Sequence, residues 1–176
     1  MNPTPHDRPR RHRTFSERRR WRRRWTGFAS ALLLVVLGVM SLSLRYRLVW
    51  VAGDSMLPTY RSGDLLVVDK WAYRSHGPNR GDVVVARYHG GWIVKRVVGL
   101  PSEIIEVRHG QVTVDGSRVP LEHAVELGFL DIAPGRLLAD RYAILGDNRG
   151  VEPSAFLHAV VSPSQMLGKV VGAARL

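Results

Sequence analysis

The sequence predicts a mainly β protein, an antiparallel sheet or barrel-like domain preceded by one transmembrane helix. Three observations lead to this prediction. An uncharged segment occupies residues 26–44, short β-type runs follow it, and glycine-containing turns separate those runs. The length of 176 residues suits one globular domain with an extension.

The apolar segment, TGFASALLLVVLGVMSLSL, is 19 residues long and carries no charge. About 20 such residues are needed to cross roughly 30 Å of hydrocarbon as a helix. Trp25 lies at one edge, and Tyr46 and Trp50 lie near the other, where aromatic rings favour the membrane interface. The segment therefore predicts a membrane anchor over residues 26–44.

The net charge of +11 belongs mostly to the segment before this anchor. Residues 1–24 hold ten arginines against two acidic residues, whereas residues 45–176 hold sixteen basic and thirteen acidic side chains. A basic tail binds RNA, DNA or anionic lipid. Because an apolar span follows directly, we expect anionic lipid in the bilayer and no nucleic acid as the partner.

This charge asymmetry also predicts the orientation of the chain. Positive segments stay on the cytoplasmic side, which makes residues 1–25 a cytoplasmic tail and residues 45–176 an extracytoplasmic domain at the cell membrane. Two alternatives stay open: a cleaved signal peptide, with Ser41 and Ser43 near the cut, and a buried core helix. The long basic region and the full span length favour an uncleaved anchor.

Beyond the anchor, apolar and β-branched runs alternate with turn residues. Gly90-Gly91 and Asp115-Gly116 predict hairpin turns. Residues 121–140 are less regular and predict a short helix followed by a loop. Absence of cysteine excludes disulfides and thiolate metal sites. The predicted strands are 48–51, 64–70, 82–88, 92–98, 103–108, 111–114, 141–145 and 167–171.

Lysine is rare in this arginine-rich chain. Only three of the 26 basic residues are lysines, namely Lys70, Lys95 and Lys169. Arginine keeps its proton in proteins, whereas a buried lysine can become a neutral base. A serine hydroxyl needs such a base to attack a carbonyl. Ser55, in a turn bounded by glycine and proline, and Lys95, inside an apolar run, therefore indicate a Ser–Lys hydrolase.

The strand pattern around Lys95 supports its choice as the base. Alternation places Lys95 on the same face as Ile93 and Val97, with Arg96 on the opposite face. Burial among apolar groups lowers the pKa of an amine. The competing interpretation is an ordinary strand lysine with an exposed amine. Lys70, beside Asp69, is the rival base.

A Ser–His–Asp triad is the other catalytic alternative. Three of the five histidines beyond the anchor adjoin glycine-containing turns, which favours a solvated position for them. No His, Asp or Glu grouping has the spacing of a metal site. The five histidines are His76, His89, His109, His123 and His158.

Three sequence blocks carry a resemblance to a known family. They are GDSMLPT at residues 53–59, RGDVVVARY at 80–88 with KRVVGLP at 95–101, and GDNR at 146–149. In this order they resemble the type I signal peptidases, membrane-anchored Ser–Lys endopeptidases that remove signal peptides. The resemblance covers roughly residues 26–171. Several blocks in family order are far more specific than one short motif.

The resemblance implies a role for each matched residue. Ser55 is the nucleophile and Lys95 the base, and no metal or organic cofactor is needed. Substrates are precursor proteins that carry signal peptides, with small residues at the first and third positions before the cut. Gly53, Asp54 and Met56 are expected to contact the oxyanion or the substrate. The residues expected to support the site structurally are Pro58, Asp147, Asn148 and Arg149.

The block after GDNR departs from the family pattern. Glu152 stands where relatives place the serine that orients the lysine, and Phe156 replaces an arginine; Ser154 reaches the serine position only with a shift of two. Ser102-Glu103 replaces the usual Gly-Asp. These departures leave open a maturase dedicated to one substrate, or an inactive membrane-bound binding protein. A self-cleaving repressor would need a DNA-binding domain and an internal cut site, and the arginine-rich tail that runs into an apolar span fits that hypothesis poorly.

Overall fold

The computed structural model describes residues 15–120, 125, 127–150 and 158–175, with side chains from residue 28 onward. The chain divides into two compact units between Ser43 and Leu44. Among the described residues, the first unit contains most of one helix and the second contains the strands. A mainly β fold with one N-terminal apolar helix is what the sequence predicted, and that prediction is confirmed.

The helix α1 spans Phe15–Arg45. Its window Phe28–Arg45 is long and apolar enough to cross a membrane, and none of that window is buried. Full exposure of so many Leu and Val side chains argues against the core-helix alternative, because a core helix hides such side chains from water. The helix begins well before the predicted anchor, so the arginine-rich residues 18–24 continue the same helix.

Eleven strands follow α1 in the described part of the chain. They form two antiparallel sheets, one of seven strands and one of four. The strands are β1 (Tyr46–Trp50), β2 (Leu65–Asp69), β3 (Val83–Tyr88), β4 (Gly91–Gly99), β5 (Ile104–Arg108), β6 (Gln111–Val114), β7 (Ser117–Arg118), β8 (Ile132–Arg136), β9 (Tyr142–Leu145), β10 (His158–Val161) and β11 (Met166–Ala174).

The seven-stranded sheet has the order β1-β2-β11-β3-β4-β9-β10, and the four-stranded sheet has the order β7-β6-β5-β8. Strand β4 therefore lies inside the larger sheet, between β3 and β9. A short 3₁₀ turn, Pro163–Gln165, leads into β11. All eight predicted strands are present within one to three residues of their predicted ends.

Three hairpins turn through two residues that both have positive φ. These central pairs are His89-Gly90, His109-Gly110 and Asp115-Gly116, with φ between 46° and 80°. Such pairs form the tight turns whose twist matches that of antiparallel strands. The predicted turn at Asp115-Gly116 is confirmed. The other predicted turn lies one residue earlier, because Gly91 already pairs with Tyr88.

The prediction for residues 121–140 was wrong in its described part. Residues 132–136 form the strand β8, and no helix lies in the described residues of this stretch. The strand was not predicted because it contains Pro134 and Gly135, and both residue types are rare in strand interiors. Proline is tolerated there because β8 is an edge strand, paired with β5 alone. The short strands β7 and β10 were also not predicted.

The core covers β3 and β4 on both faces. Val84 and Ala86 belong to one buried cluster with Val97, whereas Val83 and Val85 belong to a second. Successive strand residues point to opposite faces. This explains why residues 83–86 are apolar without interruption, and it places the middle of β4 where water has little access.

Candidate active site

Ser55 lies in a loop that follows β1 and closes back on itself. Val51 donates a backbone hydrogen bond to Asp64 (2.9 Å), and Gly63 donates one to Val51 (2.9 Å). Gly53 has φ of 87°, a left-handed conformation that glycine adopts without strain. Its N–H donates to Ser62 Oγ at 3.3 Å. The half-buried Ser55 is thus carried by a closed loop.

Lys95 lies in the middle of β4 and is only 3% exposed. Its Nζ lies 2.6 Å from Ser55 Oγ, within hydrogen-bond distance, and donates to the carbonyl of Val94 at 3.0 Å. Burial lowers the pKa of Lys95 from 10.5 to about 8, and the nearby charge of Asp147 opposes this shift. The structure therefore brings together the two residues that the sequence singled out.

The rival bases lie elsewhere in the described part of the chain. Lys169 forms an ion pair with Asp82 at 2.6 Å. Lys70 directly follows β2, and no described contact joins it to Ser55. His76, His89 and His109 are exposed, as expected for turn residues, and His158 lies on β10, whereas His123 is outside the described residues. No cluster of three potential metal ligands occurs among the described side chains.

Asn148 fastens the Ser55 loop to the segment after β9. Its backbone N–H donates to the Ser55 carbonyl at 3.0 Å, and its Nδ2 donates to the Asp54 carbonyl at 3.2 Å. Its Oδ1 accepts from the N–H of Gly150 at 3.2 Å. Two of these hydrogen bonds hold the Asp54-Ser55 segment, and the third holds the turn of Asn148 itself.

Arg96 and Asp147 form a buried ion pair beside the site. Arg96 donates from Nε (2.9 Å) and from its terminal nitrogen (2.6 Å) to the two carboxylate oxygens of Asp147. Thr59 Oγ1 also donates to Asp147, at 2.6 Å. The pair joins β4, the Ser55 loop and the segment after β9. The sequence did not lead to a role at the site for Arg96 or Thr59. The available signal was the position of Arg96, an arginine next to Lys95 within an apolar strand.

Arg149 connects this segment to the smaller sheet. It is 1% exposed and donates to the carbonyls of Gly110, in the β5–β6 turn, and Gly146. Burial lowers its pKa to about 10, with the charge of Asp147 opposing that shift. The carbonyl oxygens supply the partners that a buried guanidinium needs. Arg149 thus ties the hairpin β5–β6 to the loop that carries Asp147 and Asn148.

The remaining predicted site residues are divided between surface and core. Asp54 and Pro58 are exposed, next to Ser55. Met56 is 1% exposed and packs in a core cluster, so its side chain is a packing residue and only its backbone is near the nucleophile. Gly53 is exposed, with open space where a Cβ would stand. Its conformation, and not crowding, is what calls for glycine.

Contacts in the structure explain how the chain tolerates Ser102-Glu103, one of its departures from the family pattern. Glu103 pairs with Arg80 at 2.5 Å and accepts from the Leu100 N–H at 2.7 Å, while Ser102 takes up the turn with φ of 69°. The glutamate therefore closes the turn after β4. The divergent residues Glu152, Ser154 and Phe156 lie outside the described residues.

A buried lysine amine hydrogen-bonded to a serine hydroxyl, on an antiparallel β scaffold, is the arrangement of a Ser–Lys hydrolase. The chain belongs to the signal peptidase family, peptidase S26, whose model matches residues 22–171. Family membership confirms the predicted family, enzyme class and function, a serine endopeptidase that removes signal peptides.

Named relatives agree with this membership. A probable signal peptidase I-1 from Synechocystis sp. is 30% identical over 151 residues, which cover 77% of this chain and 76% of that protein. A signal peptidase I from Leptolyngbya laminosa is 27% identical over 151 residues, 79% and 72% of the two chains. A signal peptidase I from Bacillus caldolyticus is 31% identical over 168 residues, 84% and 87%.

The buried ion pair gives a testable expectation. Arg96→Gln removes the charge that forms the two-point ion pair with the buried carboxylate of Asp147, which is expected to cost about 3–5 kcal/mol of unfolding free energy. Arg108→Gln is the control, since Arg108 pairs with Glu106 while 74% exposed, and such pairs contribute about 0–1 kcal/mol. Urea unfolding of the solubilised full chain measures both. Equal losses in the two variants would contradict the structural role given to Arg96.

Proposed function

We propose that Ser55 and Lys95 are the nucleophile and the general base with which this peptidase cuts signal peptides from precursor proteins. The observation that carries the proposal is the 2.6 Å separation of Ser55 Oγ from a Lys95 amine that is almost fully buried. A neutral amine has one lone pair, which accepts the serine O–H, while one of its N–H groups donates to Val94.

The proposed reaction proceeds through an acyl-enzyme. Lys95 takes the proton from Ser55 Oγ, which attacks the carbonyl carbon of the scissile peptide bond. Lys95 then returns the proton to the leaving amine as the C–N bond breaks. A water molecule then attacks the ester carbonyl while Lys95 takes its proton. Lys95 passes that proton to Ser55 Oγ as the ester C–O bond breaks, which releases the acid product and restores Ser55 and the neutral amine.

The Ser55 backbone is the proposed oxyanion donor. Its N–H donates to no described residue, which leaves it available for the developing negative charge. The N–H of Gly53 is already directed to Ser62 Oγ, so Gly53 contributes by its open, exposed backbone instead. Asp54 is exposed beside the nucleophile, where its carboxylate can meet substrate.

Replacement of the two residues tests the assignment. The substrate is a precursor with small residues at the first and third positions before the cut. Ser55→Ala, Lys95→Ala and Lys95→Arg are each expected to lower kcat/KM by about a thousandfold or more, because a nucleophile or a neutral base is lost. Lys70→Ala is the matched control and is expected to retain activity.

The outcomes of this test separate the alternatives. Cleavage that survives Lys95→Ala overturns the assigned base and returns attention to Lys70 or a histidine. A folded wild-type chain that cuts one precursor out of a varied panel is a dedicated maturase. A folded chain that cuts none is an inactive binding relative.

The pH dependence of the reaction tests the protonation state of the base. With a pKa lowered to about 8, the amine of Lys95 is mostly protonated at neutral pH, so kcat/KM should rise about tenfold per pH unit below 8 and level off above it. Asp147→Asn removes a charge that raises this pKa, so the rise should move to lower pH. A wild-type profile already level at pH 6.5 would require another base.

We also propose an orientation, with the arginine-rich tail in the cytoplasm beside anionic lipid and residues 45–176 outside. Ten arginines before the span and near-neutral charge after it support this orientation. An enzyme anchored in the same bilayer as a signal peptide also meets its substrate at a higher effective concentration.

The natural absence of cysteine makes this orientation easy to measure. In intact cells, a membrane-impermeant maleimide should label Ser117→Cys, an exposed position on β7. It should label Ser16→Cys, in the tail, only after the membrane is opened. Substitution of glutamine for the arginines between 18 and 24 is expected to reduce the correctly oriented fraction. The reverse labelling pattern refutes the proposed topology.

A further inference from the structure

A second concave site lies away from Ser55, between the ends of the two sheets. It is a cavity of about 280 Å³ bounded by β9 and β10 of the larger sheet and by β5 and β8 of the smaller one. None of its described lining residues belongs to the Ser55 loop, and Lys95 does not line it. The cavity is therefore distinct from the site that carries the proposed chemistry.

The lining is almost entirely aliphatic. Leu137, Ala143 and Leu145 are buried in the same core cluster and face this space. Leu138 and Val160 also line it, although they are 66% and 50% exposed. An ordered water needs two to four polar partners, which such walls do not supply. The chemistry of the walls calls for a hydrocarbon occupant, which would also cover the two exposed side chains.

The charged groups at the cavity are all basic. Arg136 and Arg141 line it, and the described lining residues include no Asp or Glu. Arg136 donates a hydrogen bond to the Ser102 carbonyl at 2.8 Å. Because this acceptor is neutral, it does not compensate the charge of the Arg136 guanidinium. Arg141 forms a salt bridge with the exposed Asp140 at 3.3 Å, so the uncompensated charge at the cavity is that of Arg136. The positive charge favours an anionic group on the occupant.

His158 adds a polar atom at the same place. It lines the cavity from β10, and its Nδ1 is buried without a hydrogen-bond partner among the described residues. Buried polar atoms are nearly always paired in native proteins, and an unpaired one requires an explanation. An oxygen atom on a bound molecule is a suitable partner for this ring nitrogen.

We propose that this cavity binds a single-chain carboxylate, with its hydrocarbon chain between the sheets and its carboxylate at Arg136 and Arg141. An apolar cavity of about 150 Å³ holds the six carbons of benzene, so 280 Å³ holds a chain of about ten. Two acyl chains of a phospholipid exceed this volume. Binding at this site does not depend on the catalytic roles proposed for Ser55 and Lys95.

Photo-cross-linking of the full chain tests the proposal. The protein is placed in phosphatidylcholine nanodiscs with decanoate that carries a diazirine near its methyl end. Cross-links in residues 132–145 and 158–161 are counted by mass spectrometry relative to those in Phe28–Arg45, which records probe dissolved in the bilayer. The matching diazirine alcohol, of equal length and no charge, is the chemical control.

Three variants complete the design. Arg136→Glu combined with Arg141→Glu reverses the charge, and Arg118→Glu is the matched control on exposed β7. Gly135→Leu narrows the cavity; a Cβ there meets nothing closer than the Ala133 carbonyl at 4.0 Å, so the backbone accepts it. Retained precursor cleavage or, failing that, an unchanged thermal transition verifies that each variant is folded.

The expected result is preferential cross-linking at the cavity by the wild type. That preference should fall about fivefold or more in the charge-reversed variant, in Gly135→Leu and with the alcohol, and stay unchanged in Arg118→Glu. The proposal is overturned if the cavity strands are labelled no more than the helix, if charge reversal has no effect, or if the alcohol labels as well as the carboxylate.

Discussion

The whole site depends on lowering the pKa of one lysine amine that lies next to a serine hydroxyl. An amine loses its proton near neutral pH only where water cannot solvate the ammonium form, so Lys95 must be buried. Burial in turn requires a strand that is paired on both edges and covered on both faces. Strand β4 lies between β3 and β9, and Val97 and Val94 on its opposite faces pack in two different core clusters. The antiparallel sheet is therefore part of the chemistry, because it supplies the low-dielectric surroundings that lower the pKa of Lys95.

Asp147 both opposes and supports this arrangement. Its carboxylate raises the pKa of Lys95, which works against a neutral base. The two-point ion pair with Arg96 keeps that carboxylate in a nearly neutral unit, while Thr59 adds a further hydrogen bond. The same unit joins the strand that carries Lys95 to the loop that carries Ser55. A shift of one element would lengthen the 2.6 Å contact between Ser55 and Lys95.

Sequence reasoning singled out Ser55 and Lys95 because their setting is unusual in this chain. A lysine kept within an apolar strand of an arginine-rich protein, and a serine in a glycine-bounded turn, stand out without a structure. The turn at 146–149 was also predicted as support, from its polar residues. The roles of these residues are predictions that the geometry favours and that mutation has to test.

What the sequence could not supply were contacts between distant segments. Arg96 and Asp147 are 51 positions apart, and Thr59 and Asp147 are 88 apart. No local pattern encodes such pairs. Met56 looked like a site residue from its neighbours in the motif, yet its apolar side chain packs in the core. Strand β8 was hidden because Pro134 and Gly135 break the alternation by which strands are recognised.

The most direct measurement is the titration of the Lys95 amine itself. With three lysines in the chain, selective lysine labelling gives three NMR resonances, and the one lost in Lys95→Arg identifies the buried amine. The account predicts that this resonance titrates with a pKa near 8. A resonance that titrates at the ordinary lysine value of 10.5 would show that burial does not lower the pKa of the Lys95 amine, and it would contradict the proposed role of Lys95 as the base.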